Sequence, residues 1–263
     1  MRKPSRTGFS LVEVILACAL MSILMVVLGE ALSQAQNAFR NVTGTSDAAD
    51  ELRKVCQHVR QELIQTSGVQ IGSRDSANSL GSPDGEAIWF LSNIGSDGNP
   101  HFMSDGSPFW QRNVLYYIVV PGNHLGLFGW NCAGGADPDG YDDRCPHKVL
   151  IRKEIDFGVA TDFVNEATVE TLMSSGDILP YLTQPVGYSC SAMNAEAGMR
   201  QVRIVGRSLL TFRVSSAAPG SVTLDTRAVS IARARTKVAL GTASMVDSPF
   251  TFHFGITVTP SVP

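Results

Sequence analysis

Residues 8–14 read GFSLVEV and open an apolar run that continues to Leu28. Between Phe9 and Leu32 only Glu13 and Glu30 carry a charge. Roughly 20 apolar residues in a helix are enough to cross the hydrocarbon core of a bilayer. The sequence therefore predicts a membrane-spanning helix over residues 9–32.

Charges on either side of this run predict its orientation. Arg2, Lys3 and Arg6 precede it, and no cation follows until Arg40. Because positively charged flanks stay in the cytoplasm, we expect a single-pass inner-membrane protein with a cytoplasmic amino terminus. The rest of the chain is expected on the periplasmic or extracellular side.

A secretory signal peptide or a plain membrane anchor is the simpler interpretation. Small residues such as Ala31 and Ser33 follow the apolar run and resemble a weak signal-peptidase site. Glu13 argues against this, since a carboxylate well inside a membrane helix costs about 2.5–3.5 kcal/mol. Glu13 lies near the membrane interface, which relieves part of that cost, but its charge still needs a partner.

The sequence from Gly8 to Glu13 resembles the prepilin cleavage and methylation motif of type IV pilins and type II secretion pseudopilins. The resemblance implies that prepilin peptidase cleaves between Gly8 and Phe9, and that Phe9 is then N-methylated. It also implies that Glu13 neutralises the terminal amine of a neighbouring subunit. Opposite charges attract strongly at low dielectric, where each alone would be costly.

Composition bounds the remainder of the chain. It has 263 residues, 44% of them hydrophobic, and a formal net charge of −3, which indicates no nucleic-acid surface. About 200 residues beyond the anchor are enough for one sizeable core. We predict a leader at 1–8, a long helix at 9–67 and an exported globular domain at 68–263 with an insertion at 122–147.

The predicted helix continues beyond the apolar run. It is expected to reach about Gln65, as one long helix or as two nearly continuous ones. Gly29 is a candidate bend, the polar stretch 41–46 predicts a break or a kink, and Gly68 is the predicted terminating residue. An apolar stripe at helical spacing predicts a face that packs on a sheet: Leu52, Val55, Cys56, Val59 and Leu63. The opposite face is expected to be merely solvated: Glu51, Arg53, Lys54, Arg60 and Glu62.

Strand-like segments follow a predicted loop at 70–85. They lie at 87–91, 114–120, 148–152, 202–205, 209–214, 221–231 and 251–258. A short helix is predicted at 162–173. The fold class is α+β, with the long amino-terminal helix packed on a mostly antiparallel sheet, as in pilins.

A second, looser resemblance covers residues 46–153. The helix with Glu51 and Glu62, the strand at 114–117 and the strand at 149–153 are similar to large minor pilins and the J-type minor pseudopilin. The long insertion departs from compact members of that family. This resemblance implies a minor, non-repeating subunit.

The five cysteines fall into three groups. Cys18 lies in the membrane run and is expected to pack as a small apolar residue. Cys132 and Cys145 share one Gly/Asp-rich loop in an oxidising compartment, so a disulfide between them is predicted. For Cys56 and Cys190 both paired and free states stay open, with free thiols favoured.

The same loop carries a candidate calcium site. Asp137, Asp139 and Asp143, with a Gly among them, resemble part of an Asp-x-Asp-Gly calcium loop. The twelfth position of a full EF-hand would need Glu and is Lys148 here. A solvated acidic turn closed by the disulfide, or a contact with a partner, are the alternatives.

No enzyme motif is apparent in the sequence. The five histidines form no metal-spaced pair, and we find no nucleophile elbow, P-loop or dinucleotide fingerprint. The favoured function is a structural subunit that assembles with other pilin or pseudopilin subunits. The alternative is an unprocessed, membrane-tethered binding module of the cell surface that binds calcium or another ligand.

Overall fold

The computed structural model describes residues 10–72, 84–85, 87–95, 98–121, 148–182, 186–188, 190–216, 220–229 and 251–260. A single long helix, α1, comes first, and strands follow it. Their bounds are α1 Leu11–Ile64, β1 Ser67–Gly72, β2 Asp84–Gly85, β3 Ala87–Ser92, β4 Arg112–Pro121, β5 Lys148–Ile155, β6 Val186–Tyr188, β7 Met199–Ser215, β8 Val222–Val229 and β9 Thr251–Val258. Short helical turns lie at Glu166–Thr168, Ser175–Ile178, Leu179–Leu182 and Cys190–Met193.

Helix α1 contains 54 residues and passes through both positions where a distortion was predicted. The break predicted at 41–46 is wrong: the helix continues, and Thr43 Oγ1 donates a hydrogen bond to the Phe39 carbonyl (3.0 Å). One Gly and a few β-branched residues cost at most about 1 kcal/mol each, which long flanking helix formers offset. Helix α1 ends at Ile64, next to the predicted end near Gln65, and Gly68 (φ +67°) belongs to β1 rather than to a helix cap.

Contacts divide the chain into two units, Met1–Thr43 and Gly44–Pro263. The boundary falls inside α1, so the helix contributes its second half to the unit that contains the sheet. The two halves of one continuous helix therefore have different surroundings.

The sheet confirms the predicted antiparallel architecture. Seven strands run in the order β1-β3-β4-β5-β7-β8-β9, and every neighbouring pair is antiparallel. Strand β2 pairs with β7, and β6 pairs with β4 in parallel. The loop predicted at 70–85 is wrong at both of its ends, because residues 70–72 belong to β1 and residues 84–85 form β2.

Strand alternation gives the sheet two buried faces. The predicted stripe of α1 packs on one face: Val55, Val59 and Leu63 are fully buried together with Phe90 and Tyr116. This confirms the helix-on-sheet prediction. The opposite face is buried against residues 172–182 and Met193, and this second cluster includes Trp89, Leu115, Tyr117, Met173, Ile178 and Met193.

The long strand β7 brings the backbone unusually close to the helix. Residues 202–205 and 209–214, predicted as two strands, form this one strand of 17 residues. At Gly206 a Cβ atom would collide with Val55 Cγ2, so only glycine fits there without movement. The next residue, Arg207, donates its backbone N–H to Glu51 Oε1 (2.8 Å). Glu51 was predicted to be merely solvated, and that prediction is wrong.

The helix predicted at 162–173 is wrong. Only the three-residue turn Glu166–Thr168 forms there, and Asn165 caps it through its side chain. Phe163, on the predicted apolar side of that helix, is 51% exposed. Side-chain bonds replace helical ones: Thr168 Oγ1 accepts from the Asp162 N–H (2.8 Å), and Glu166 Oε1 accepts from the Ser104 N–H (2.6 Å).

Candidate functional site: the exposed apolar segment of the first helix

The first half of α1 presents apolar side chains all around its circumference. Every residue from Ser10 to Arg40 is exposed, and Leu11, Ile15 and Val26 keep 78%, 61% and 63% of their surface. By length and composition, α1 is the one helix among the described residues able to cross a membrane. Apolar surface in water costs about 25 cal/mol per Å², so this segment is stable only within lipid or against other apolar helices.

Glu13 and Ser10 form a capping box at the start of the helix. Glu13 Oε2 accepts hydrogen bonds from the Ser10 N–H (2.8 Å) and from Ser10 Oγ (3.0 Å). Ser10 Oγ in turn accepts from the Glu13 N–H (3.3 Å). These reciprocal bonds satisfy two backbone donors that a helix start leaves without partners.

The capping box fixes where the carboxylate lies. Glu13 reaches back toward the amino-terminal end of the helix rather than sideways into the surrounding medium. That direction is the one in which a terminal amine at Phe9 would lie. Gly8 and Phe9 themselves are outside the described residues, so cleavage, N-methylation and amine pairing stay predictions.

A shallow apolar groove runs along one side of this segment. Its lining residues recur at helical spacing and include the small side chains Ala17 and Cys18: Glu13, Val14, Ala17, Cys18 and Met21. Small residues let a neighbouring helix approach closely in a membrane. Cys18 carries a free, exposed thiol.

The predicted disulfide and calcium residues belong to the insertion at 122–147. Cys132, Cys145, Asp137, Asp139 and Asp143 all lie outside the described residues, so the disulfide and the calcium site stay predictions. Over the described ranges, no group of three His, Cys, Asp or Glu side chains is arranged to hold a metal.

Cys56 is a free thiol buried between α1 and the sheet, as the sequence favoured. Burial raises its pKa to about 11, although a bond with Thr226 acts in the opposite direction. A thiol with so high a pKa is almost fully protonated at neutral pH and is a poor nucleophile. Cys56 therefore acts as a packing residue of the stripe.

Glu62 is, after Glu51, the second charged residue of α1 whose role the sequence prediction missed. It was expected to be solvated, yet its carboxylate accepts from Arg152 Nε (2.9 Å and 3.0 Å to its two oxygens) and from Tyr116 Oη (2.8 Å). Burial and the negative charge of Glu62 raise the pKa of Tyr116 well above its ordinary value. Glu62 thus ties the last turn of α1 to strands β4 and β5.

The network continues into the sheet. Arg152, whose side chain is 5% exposed, also binds Glu154, and Glu154 binds Arg112. Burial opposes ionisation of Glu154, but Arg152 and Arg112 hold its pKa below the ordinary value. Only the spacing of Glu62 on the edge of the apolar stripe could have indicated its role, three residues after Val59 and one before Leu63.

Comparison with known proteins identifies one feature of this chain. The family model described as the prokaryotic N-terminal methylation motif matches residues 3–29. That range contains Gly8, Phe9, Glu13 and most of the exposed apolar segment. No curated protein and no solved structure matches the chain.

Proposed function

We propose that this chain is a minor subunit of a type IV pilus or of a type II secretion pseudopilus. Prepilin peptidase removes residues 1–8, the new amino terminus at Phe9 is N-methylated, and the helix anchors the subunit in the inner membrane. The subunit then enters a filament through the first half of α1 while the sheet domain lies on the exported side. Its role is structural, and we assign it no catalysis.

One observation carries the proposal. A methylation motif matches residues 3–29, and the same residues lead into a helix whose apolar surface is fully exposed. A cleaved signal peptide would be discarded with that surface. A pilin-type subunit instead keeps it, because cleavage falls before the apolar run, and uses it first in the membrane and then against neighbouring subunits.

The capped carboxylate supports an assembly role for Glu13. In a filament, Glu13 would meet the terminal amine of the adjacent subunit and fix the axial register of the two chains. Without a counter-charge, a buried amine or carboxylate costs several kcal/mol, so register and charge pairing are coupled.

The experiment compares Glu13→Gln with the matched variant Glu30→Gln. Both variants remove one carboxylate from α1 at an exposed position, about 25 Å apart along a helix with 1.5 Å rise per residue. We expect Glu13→Gln protein to insert in the membrane normally but to be recovered at least about tenfold less with sheared filaments or other minor subunits. Glu30→Gln protein should be recovered like the wild type.

Equal recovery of the two variants would refute the pairing role of Glu13. A protein that never co-purifies with other pilin-like subunits would instead favour the alternative, an unprocessed surface module tethered by its first helix. The loop with Asp137, Asp139 and Asp143 would then be the candidate calcium-binding element. In that case the melting temperature should rise between chelator and millimolar calcium.

A further inference from the structure

A polar cleft of about 530 Å³ opens beside the last turn of α1. It lies within the sheet unit and is lined by residues from α1, β4, β5 and β7 and from two loops. Ligand sites commonly have volumes of about 300–1,000 Å³, so the cleft can hold one or two side chains of another polypeptide.

The lining of the cleft carries one net positive charge. Four guanidinium groups, of Arg112, Arg152, Arg200 and Arg203, face three carboxylates, of Glu62, Glu154 and Asp156. An additional monoanion would balance this set. A dianion such as phosphate would leave an excess negative charge in a half-enclosed site, where charge imbalance is costly.

Most of the guanidinium groups are held by carboxylates of the cleft itself. Arg152 binds Glu62 and Glu154, and Arg112 binds Glu154, so these two form a fixed floor with side-chain exposures of 5% and 13%. Arg200 binds Asp156 through Nε and Nη2. These pairs leave little freedom for rearrangement.

Arg203 is different. Its side chain is 44% exposed, and its contacts go through Nη2 alone, to His58 Nε2 (2.9 Å) and, more distantly, to Glu62 Oε1 (3.7 Å). Within the described part of the chain, Nε and Nη1 of Arg203 have no hydrogen-bond partner. Nη2 uses one of its two N–H groups for His58, and its second N–H lies on the same edge of the guanidinium as either Nε–H or Nη1–H. Such a two-donor edge matches the two oxygens of a carboxylate.

Apolar groups stand at the rim of the same cleft. Ile94 and Phe163 line it, and Phe163 is held in place by stacking on His101, with ring centroids 4.6 Å apart. A rigid apolar rim next to a free guanidinium edge suits a side chain with a short aliphatic stem and a terminal carboxylate.

We propose that this cleft binds a carboxylate-bearing peptide segment of a partner protein, with Arg203 as the residue that takes the carboxylate. Ile94 and Phe163 then contact the aliphatic stem. The binding site does not depend on the assembly role of the first half of α1, because all its lining residues belong to the sheet unit.

The test titrates the full-length chain in detergent micelles with a matched pair of peptides by calorimetry. The peptides are acetyl-Ala-Ala-Glu-Ala-Ala-amide and its Gln counterpart, which differ in one carboxylate. We expect saturable binding of the Glu peptide and at least about tenfold weaker binding of the Gln peptide, since a bidentate charge-assisted pair is lost. Arg203→Gln should weaken binding of the Glu peptide by a similar factor.

Arg213→Gln is the matched control, because Arg213 is an exposed arginine of the same strand that does not line the cleft. It should bind the Glu peptide like the wild type. Melting temperatures of both variants should match that of the wild type, which separates loss of binding from loss of folding. Equal affinity for the two peptides, no binding of either, or full binding by Arg203→Gln would each overturn the proposal. Inorganic phosphate that competes more strongly than acetate would overturn the assignment of a monoanion.

Discussion

The two halves of helix α1 have the same secondary structure and opposite surroundings. In residues 11–40 every side chain is exposed, and from Leu11 to Leu28 all of them except Glu13 and Ser22 are apolar. In residues 48–63 an apolar stripe is buried to 2% exposure or less, and charged side chains at its edges bond to the sheet. A helix that buries only one stripe needs one partner surface, whereas a helix that is apolar all around needs apolar surroundings on every side.

This difference shows which contacts are internal to the chain. The second half is stabilised by the chain's own strands through Val55, Val59 and Leu63. The first half is not buried by any described residue, so its stabilisation comes from lipid or from other subunits. Substitutions in the two halves should accordingly change different properties: folding for the second half, and insertion or assembly for the first.

Removing Arg152 should have the largest effect on folding. Arg152→Met keeps the bulk of the side chain but leaves Glu62 and Glu154 without their shared cation in a nearly buried position. Breaking a buried pair in this way costs about 3–5 kcal/mol. Chemical denaturation of the full chain in micelles measures the loss. The control Arg53→Met removes an exposed pair with Asp50 (3.0 Å) and should change stability by about 0.5 kcal/mol or less. Equal losses of stability in Arg152→Met and Arg53→Met would contradict the distinction between buried and exposed charge pairs of the helix.

A pair of glycine substitutions sharpens the comparison directly. Gly206→Ala places a Cβ where Val55 Cγ2 lies and should cost about 1–3 kcal/mol through overpacking between helix and sheet. Gly29→Ala adds the same atom to the first half of α1, where no heavy atom lies within 4 Å. It should leave unfolding of the sheet domain unchanged and strengthen the helix, by up to about 1 kcal/mol. A loss of stability of the sheet domain in Gly29→Ala would show that the two halves of α1 are not independent.

A pH dependence of stability should come from the sheet unit. Burial, together with the nearby Asp156 carboxylate, raises the pKa of Glu170 to about 8, even though the Phe157 N–H donates to it (3.0 Å). Burial opposes ionisation of Asp156 as well, but Arg200 and Thr161 hold the pKa of Asp156 below its ordinary value. Asp156 therefore stays charged, and Glu170 is the member of the pair that holds a proton.

The direction in which stability changes with pH follows from the raised pKa of Glu170. Stability from neutral Glu170 is complete below about pH 4.5 and is lost as the pH rises from 4.5 to 8. Glu170→Gln should remove that loss, which for a pKa raised from 4.5 to about 8 is at most about 4–5 kcal/mol at pH 8 relative to pH 4.5. Melting curves of wild type and Glu170→Gln across this range measure the effect, with Glu166→Gln, an exposed neighbour, as control. Parallel pH profiles of the wild type and Glu170→Gln would contradict the proposed protonation.

Periodicity predicted most of the fold, because burial of one stripe or one strand face leaves a direct trace in the sequence. The helix, its buried stripe and strands such as 87–91 and 251–258 follow from that rule. The errors occurred where long-range partners decide. Glu62 on a helix surface is indistinguishable from a solvated Glu until Arg152, 90 residues later, is placed beside it. Segment 162–173 was predicted as a helix, but bonds to Ser104 and Trp110 hold it as a loop.

The candidate site was predictable for a different reason. The motif from Gly8 to Glu13 is local, so its meaning does not depend on the rest of the fold. Cleft residues such as Arg112 of β4, Arg152 of β5 and Arg203 of β7 come from separate strands and have no common sequence pattern. No reading of spacing could have placed them together.

The most direct test of the central claim is the intact mass of the mature chain in cells with and without prepilin peptidase. With the peptidase, we predict a chain that begins at N-methylated Phe9. Its mass should be that of the precursor minus residues 1–8, increased by the mass that one N-methylation adds. Without it, and in Gly8→Val protein, the mass should be that of the precursor, because a β-branched side chain does not fit a cleavage site that accepts glycine. A mature chain that still contains Met1–Gly8 in the presence of active peptidase, or one cut after the apolar run near Ala31, would contradict the account.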